Sequence, residues 1–380
     1  MRRCLILATL ETKAEEVDYL QASLDALSVP TELVDLSLGS NGATWDGERK
    51  TARIQSVAAD VAAMLTARGT SDLGAMLAIG GGTGGDIVLR VLAQMPEELP
   101  KVLVSPLPFD PRSALAQMPV ILIPSTADIE GLNPTIRTVF DNAASMISGL
   151  CARTEAEPNE NKITGRTIGL SALSATGGAA KNLIGGLRTR GEEVTVFHAN
   201  GFGGAGFARF AARSDFRAVI DMTCHEMTRL LFEGDHTSMP DRFTAAGHLP
   251  RVVLPGGMNF LGLGPLDGLS EEHQNRPVFQ HSGLFTHVKL SKDQMAEAAG
   301  TLAEALNQAK APTCVIVPMG GFSHRDCPGG ELEDPALRET CLETLTKAAR
   351  NFDVEALPHH INDRETADAV IARLYAMIED

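Results

Sequence analysis

The sequence has few aromatic residues and no long apolar run. Only 4% of its 380 residues are Phe, Tyr or Trp, with a single Trp among them. No apolar stretch approaches the ~20 residues that a membrane-spanning helix needs, so we expect no membrane partner. The N-terminal MRRCLILATLETK has the arginines of a secretory signal peptide, but Glu11 and Lys13 follow directly and no small-residue cleavage site is present. We therefore expect a buried first strand there and a cytoplasmic location.

Clusters of basic residues and of metal-binding residues are also missing. The chain has 33 Lys and Arg against 48 Asp and Glu, a formal net charge of −15. Without a basic tract it lacks the phosphate contacts of a nucleic-acid-binding protein. Its six cysteines form no CxxC pair, and neither HxxxH nor HExxH occurs. We therefore expect no disulfide framework and no preformed metal site, as in a protein of the reducing cytoplasm.

Short apolar runs alternate with helix-length amphipathic segments along the chain. This alternation predicts parallel sheets covered by helices on both faces, and the 380 residues exceed what one core usually organises. The polar segment CARTEAEPNENKITG, residues 151–165, is the best linker candidate. We predict an α/β protein of two doubly wound, Rossmann-like domains with mostly parallel sheets, residues 1–160 and 161–380. The run THVKLS (286–291) is included among the strands of this alternation.

The stretch AIGGGTGGDIVLRVL places a glycine-rich loop between a predicted strand and a predicted helix. Its backbone N–H groups are unshielded by side chains, and with the helix dipole they suit an anion. Thr83 adds a hydroxyl, but the lysine and the magnesium-binding hydroxyl of a P-loop are absent. Either an anion cradle or a bare tight turn explains this motif, whose glycines are Gly81, Gly82, Gly84 and Gly85.

Two further loops have comparable positions after predicted strands. HANGFGGAG (198–206) repeats the glycine-rich pattern in the second predicted domain, with Gly201, Gly203 and Gly204, whereas close helix packing explains SATGGAAK (174–181) better. In TLETK, Thr9 and Thr12 are natural N-cap residues, and Thr12 with Glu15 predicts a capping box. Lys13 lies at the helix start, where the dipole disfavours a cation. It is either kept for an anionic ligand or is an ordinary exposed lysine.

The candidates for acid–base chemistry cluster in the second half, in DMTCHEM, GGFSHRDCPGG and LPHHIND. The potential catalysts are His225, Glu226, His324 and His359, each at the end of a predicted strand. Taken alone, each histidine is more often a capping or hydrogen-bonding residue. A Ser–His–Asp triad through Ser323 is conceivable, but no GxSxG elbow supports it.

As an ordered set these loops resemble the Tm-one-like ATP-binding family. ATLETKAEE, GGTGGD, STADIEGLN, FHANGFGG, DMTCHE, PMGGFSHRDCPGG and LPHHIND follow one another as in that family, over nearly the whole chain. The resemblance implies two Rossmann-like domains, an ATP-binding site like that of the family's plant member, and a homodimer or higher homo-oligomer, but no established reaction. Three departures stand out: Glu11 and Ala14 in the first motif, Asp86 in the glycine loop, and Met319 where the family has an acidic residue.

We therefore expect a nucleotide-binding protein, with ATP as cofactor, with or without Mg²⁺. In this prediction the phosphates lie on Gly81–Gly85 and are bound further by Thr9, Thr12 and Lys13. Asp128 and Asn133 contact the sugar or base. The loop of Gly201, Gly203 and Gly204 forms a second anion cradle. Alternatively, the protein is a small-molecule enzyme of the hydrolase or lyase class, acting on a phosphorylated or carboxylated metabolite between the domains. An interaction protein is the third alternative.

Overall fold

The computed structural model describes residues 1–40, 43–153, 167–213 and 216–379. It consists of two compact units, Met1–Glu160 and Asn161–Asp380. Residues 154–165 of the predicted linker lie outside the described residues, whereas Cys151 and Ala152 end the last helix of the first unit. Among the described residues, no helix combines the length and the apolar character that a membrane span requires.

The N-terminal unit is a parallel sheet between two helical layers. In the described part of this unit the strands run in the order β2-β1-β3-β4-β5, with each neighbouring pair parallel. The strands are Arg3–Ala8 (β1), Thr31–Asp35 (β2), Leu73–Ile79 (β3), Lys101–Ser105 (β4) and Ile121–Pro124 (β5). The helices are Leu10–Ala26 (α1), Gly47–Arg68 (α2), Gly82–Leu92 (α3), Arg112–Leu115 (α4) and Pro134–Ala152 (α5).

Apolar residues on both faces of the central strands explain why this sheet is covered twice. Leu5 and Leu7 of β1 face one core with α2 and α3, whereas Ile6 faces the other core with α1 and α5. All of β3 is buried. Since each buried Leu or Ile contributes about 1.5–3 kcal/mol, a strand that is apolar on both faces is stable only between two layers. The predicted doubly wound architecture is confirmed here.

The C-terminal unit repeats this architecture with a longer sheet. Its described strands run in the order β14-β13-β9-β8-β6-β7, all parallel. They are Ile168–Ala172 (β6), Val194–His198 (β7), Ala218–Thr223 (β8), Arg251–Gly256 (β9), Thr313–Pro318 (β13) and Asp353–Leu357 (β14). The helices are Gly177–Arg188 (α6), Gly203–Ala212 (α7), His225–Leu231 (α8), Glu271–Gln274 (α9), Lys292–Leu306 (α10), Pro335–Ala348 (α11) and Arg364–Glu379 (α12).

A small antiparallel sheet is inserted between β9 and β13. It consists of Phe260–Leu263 (β10), Val278–Gln280 (β11) and Thr286–Lys289 (β12), with β12 in the middle. The prediction that THVKLS belongs to the parallel alternation is wrong for this strand. Its partners β10 and β11 are not evident from the sequence. The pair β11–β12 is antiparallel because the five residues 281–285 between the two strands are too few to cross over a sheet.

Candidate functional site

A cavity of about 470 Å³ lies in the N-terminal unit at the carboxyl ends of β1 and β3. These neighbouring strands are the point at which the strand order reverses, since β2 lies beside β1 on one side and β4 beside β3 on the other. Open parallel sheets bind their ligands at this position. The cavity is lined by Thr9, Glu11, Thr12, Lys13, Leu38, Ser40, Ala43, Thr44, Trp45, Lys50, Gly81, Gly82, Thr83, Gly84, Asp128 and Glu130.

Most of the residues predicted to bind the cofactor in this unit are brought together here. Thr9, Thr12, Lys13, Gly81, Gly82, Thr83, Gly84 and Asp128 all line the cavity. Two others do not. Gly85 packs against Phe109, whose ring would lie 2.7 Å from an added Cβ, and Asn133 caps α5 by accepting a hydrogen bond from the Ile136 N–H at 3.0 Å.

The helix that starts in the glycine loop has no side-chain cap. Its N-cap residue is Gly81, and a Cβ added there would meet no atom within 4 Å. By contrast, α1 begins with its N–H groups already bound, because Leu10 donates to Oδ1 of Asp35 at 3.0 Å and Glu11 donates to Oγ of Ser37 at 2.9 Å. The positive end of the α3 dipole is therefore the one that a ligand can use.

Lys13 lies at a kink in α1, with φ −129° and ψ 21°. Its side chain is largely buried, and Nζ lies 3.1 Å from Oε2 of Glu130, a residue of the cavity wall whose side chain is 82% exposed. The predicted capping box of Thr12 and Glu15 is wrong: the N-cap is Thr9, without a side-chain cap, and its Oγ1 lies 3.2 Å from Oγ1 of Thr12. The hydroxyls and the ammonium group thus face the cavity together.

Asp86 does not line this cavity. Its Oδ1 pairs with Nε of Arg90, one helical turn further on, at 2.7 Å. The carboxylate that departs from the family pattern is therefore directed at a cation of its own helix rather than at the bare helix end.

Sequence reasoning missed the wall that the segment after β2 contributes. Trp45, the only tryptophan of the chain, lines the cavity together with Lys50. The Arg49 guanidinium lies 4.9 Å from the centre of the Trp45 ring, and Asp46 caps α2 by accepting from the Arg49 N–H at 2.7 Å. The sequence signal for this wall was a single Trp beside a helix cap in a chain with few aromatic residues.

The second glycine loop already holds an anion, and that anion belongs to the chain. The N–H groups of Gly201 and Gly204 donate to Oε1 of Glu226 at 2.9 and 3.0 Å. Arg242 binds Oε2 of the same carboxylate through Nε at 2.6 Å and Oδ2 of Asp221 through a terminal nitrogen at 2.7 Å. Burial alone would lower the pKa of Arg242, but the two carboxylates raise it above its usual range.

Glu226 and His225 are both fully buried, with their polar atoms engaged. Nδ1 of His225 lies 3.0 Å from the Gly257 carbonyl, and Nε2 accepts from Nε of Arg229 at 3.1 Å. Burial and the neighbouring Arg229 lower the pKa of His225 well below its usual value. The proton-transfer roles predicted for these two residues stay predictions, and in this conformation both serve the structure.

His324 and His359 are less enclosed. Burial and Arg325 lower the pKa of His324, and its backbone N–H donates to Ala175. A triad with Ser323 does not form, because the Asp326 carboxylate binds Arg338 and the Phe322 N–H instead. In the described ranges His359, Asp363 and Glu365 could hold a metal ion, with ligand atoms within 4.8 Å of one another.

Gly203, the remaining predicted glycine of the second loop, packs against the chain itself. A Cβ added to Gly203 would lie 2.2 Å from the carbonyl oxygen of His198.

The fold and the cavity define a two-domain, Rossmann-like α/β protein with an open cavity at the switch point of its first sheet. The chain belongs to the uncharacterised protein family UPF0261. Residues 2–156 match the N-terminal domain of that family and residues 165–378 match its C-terminal domain.

Several named proteins are similar over most of this chain. A UPF0261 protein of Rhizobium meliloti (strain 1021) is 28% identical over 397 residues, which cover 98% of each chain. One of Mesorhizobium japonicum is 29% identical over 399 residues, 98% of this chain and 99% of the relative. The ToMV resistance protein Tm-1 of Solanum lycopersicum is 27% identical over 308 residues, 79% of this chain and 41% of the tomato protein. The resemblance drawn from the loop motifs is thus confirmed for this family and its tomato homologue.

Proposed function

We propose that the N-terminal unit binds ATP in the cavity at the ends of β1 and β3. The observation that carries this proposal is the uncapped start of α3 at Gly81, which opens onto a cavity at the switch point of the sheet. A volume of about 470 Å³ lies within the range of ~300–1,000 Å³ that is typical of small-molecule sites. Bare glycines at this place let phosphate oxygens approach the backbone N–H groups.

The cavity walls suit the separate parts of the nucleotide. The start of α3 and the hydroxyl of Thr83 would hold the terminal phosphates, and Lys13 would neutralise part of their charge in place of the missing P-loop lysine. Trp45 offers an aromatic face for the adenine. Asp128 would accept hydrogen bonds from the ribose hydroxyls. Among the oxygens of the wall, those of Glu11, Asp128 and Glu130 are the donors that Mg²⁺ prefers when it accompanies the nucleotide.

The experiment is a thermal-unfolding and calorimetric titration with ATP, ADP and AMP, with and without Mg²⁺. ATP at 100 times its dissociation constant should stabilise the protein by about 2.7 kcal/mol, a shift of several degrees in the unfolding midpoint. Gly82→Val fills the cavity without a clash, because a Cβ there meets only Pro108, at 3.9 Å. This variant should abolish the shift.

Gly149→Val is the matched control. Gly149 is a helical glycine of the same unit whose added Cβ meets no atom within 4 Å, and it does not line the cavity. This variant should respond to ATP like the unmodified protein. Absence of any shift with millimolar ATP, or an equal response of both valine variants, would overturn the proposal.

A further inference from the structure

Histidine and phenylalanine rings collect above the carboxyl ends of the C-terminal sheet. This histidine cluster consists of His225, Phe260, Phe279, His281, His287 and His324. The rings of Phe260 and His287 are stacked with centroids 4.0 Å apart, and His281 stacks on the same His287 at 5.2 Å. Phe279 joins the sheet to the loop after β13, with its ring 5.3 Å from that of His324. The inserted antiparallel sheet thus covers the loops at which a doubly wound sheet binds ligands.

Five polar atoms of this cluster or of residues beside it are buried without a hydrogen-bond partner in the described part of the chain. They are Oδ1 of Asn259, Oγ1 of Thr286, Nδ1 of His287, Nδ1 of His324 and Nε of Arg325. Asn259 is fully buried, and its Nδ2 donates to Oγ of Ser323 at 3.2 Å, which places its amide beside the residue that precedes His324. Since buried polar atoms almost always have a partner, this group of unpaired atoms indicates that water or a polar ligand binds among them.

Among the described residues, the fixed charges that contact the rings of the cluster are two arginines. Arg229 of α8 binds His225, and the Arg325 guanidinium lies 4.2 Å from the centre of the Phe279 ring. The carboxylates nearby are already paired or face solvent: Glu226 binds Arg242, Glu331 pairs with Arg325 at the surface, and Asp235 is exposed. Burial together with His281, His324 and Arg229 lowers the pKa of His287 to about 3. A bound anion would favour the protonated form of His287 that this environment disfavours.

We propose that the histidine cluster binds a small carboxylate that carries a hydroxyl group. The carboxylate oxygens accept hydrogen bonds from the imidazoles of His287 and His324. The hydroxyl donates to Oδ1 of Asn259, an atom that can only accept. This site lies within the C-terminal unit, so it goes beyond nucleotide binding and does not depend on it.

The test compares acids that differ only by the hydroxyl group. Isothermal titration calorimetry and thermal unfolding are measured with glycolate against acetate, lactate against propionate, and malate against succinate. At least one hydroxy acid should bind saturably, and its partner without the hydroxyl should bind about tenfold more weakly, since Oδ1 of Asn259 is then left unpaired. Binding should strengthen as the pH falls, because the bound anion favours the protonated form of His287. The enthalpy should then depend on the ionisation heat of the buffer.

Variants separate this site from adventitious binding. His287→Gln and His324→Gln should each weaken binding of the hydroxy acid at least about tenfold. His198→Gln replaces an exposed histidine outside the cluster and should leave it unchanged. If His287→Gln does not fold, the less enclosed His324→Gln decides alone. The proposal fails if none of the hydroxy acids binds, if the hydroxyl makes no difference, or if both cluster variants bind as the unmodified protein does.

Discussion

Arg242 donates a hydrogen bond of 2.6 Å from Nε to Oε2 of Glu226, and solvent reaches neither side chain. Asp221, also buried, binds the other edge of the same guanidinium. Two carboxylates around one arginine leave a net negative charge, which the N–H groups of the second glycine loop offset by donating to Glu226. The loop, the carboxylates and the arginine are therefore one structural unit.

We predict that Arg242→Met strongly destabilises the C-terminal unit. The substitution leaves Asp221 and Glu226 buried together without the arginine that hydrogen-bonds to both. Breaking a buried pair in this way costs about 3–5 kcal/mol. Urea denaturation monitored by circular dichroism measures the loss. A change below about 1 kcal/mol, the value of an exposed ion pair, would contradict the buried network.

Glu226→Gln should be milder than Arg242→Met. The amide oxygen can still accept from Gly201 and Gly204, and Arg242 keeps Asp221 as its counter-ion. The cost comes from the amide NH2, which replaces the acceptor Oε2 and faces the Nε–H donor of Arg242. The expected loss is about 1–3 kcal/mol, the range for one weakened buried interaction. ATP binding in the other unit should be unaffected. A loss of ATP affinity in this variant would show a role for Glu226 beyond the network.

Lys13→Gln should weaken ATP binding about 10- to 100-fold, because a charge-assisted hydrogen bond in a partly buried site contributes about 1.5–3 kcal/mol. The unfolding midpoint without nucleotide should barely change, since Glu130, its partner, is mostly exposed. Lys50→Gln is the matched comparison: Lys50 lines the same cavity but is exposed. The Lys50→Gln variant should lose about threefold or less in ATP affinity. Calorimetry measures the ATP affinity of both variants. Equal losses of affinity would rule out that Lys13 contributes more to ATP binding than an exposed lysine of the same cavity.

Asp86→Asn should leave ATP affinity within about twofold of the unmodified protein, because the carboxylate is already neutralised by Arg90 at the surface. A large gain in affinity on removal of this charge would instead mean that Asp86 repels the phosphates. The same titration calorimetry decides between these results.

The C-terminal unit should lose stability as the pH falls from 6.5. The pKa of His287 is lowered from 6.5 to about 3, so between these values the unfolded chain binds a proton that the folded protein excludes. At pH 5 this one residue costs about 2 kcal/mol relative to pH 6.5 or above, and the buried His225 acts in the same direction. Denaturation of His287→Gln at both pH values should show a shallower pH dependence. An unchanged slope would mean that His287 is not held neutral.

The fold and most of the first site follow from local sequence signals. Strands such as LGAMLAI are apolar at every position, which predicts a doubly covered sheet, and a glycine loop after such a strand lies at its binding edge. The anion that fills the second glycine loop could not be predicted in this way. Glu226 follows a different strand, 22 residues from Gly204, and no local sequence pattern reveals that the two are paired. The sequence around Asn133 likewise fits a sugar contact as well as a helix cap. Trp45 lines the cavity because of the conformation of the loop after β2, which the sequence does not reveal.

The glycine loop of the C-terminal unit is filled by Glu226, whereas the loop at Gly81 of the N-terminal unit is open. The two halves of the polypeptide therefore differ in whether the chain itself supplies an anion to the loop. The C-terminal half carries its own counter-ion and keeps it at any metabolite concentration. With ATP bound as proposed, the N-terminal half takes its counter-ion from the surroundings, so its resistance to proteases would rise and fall with the concentration of phosphorylated compounds in the cell.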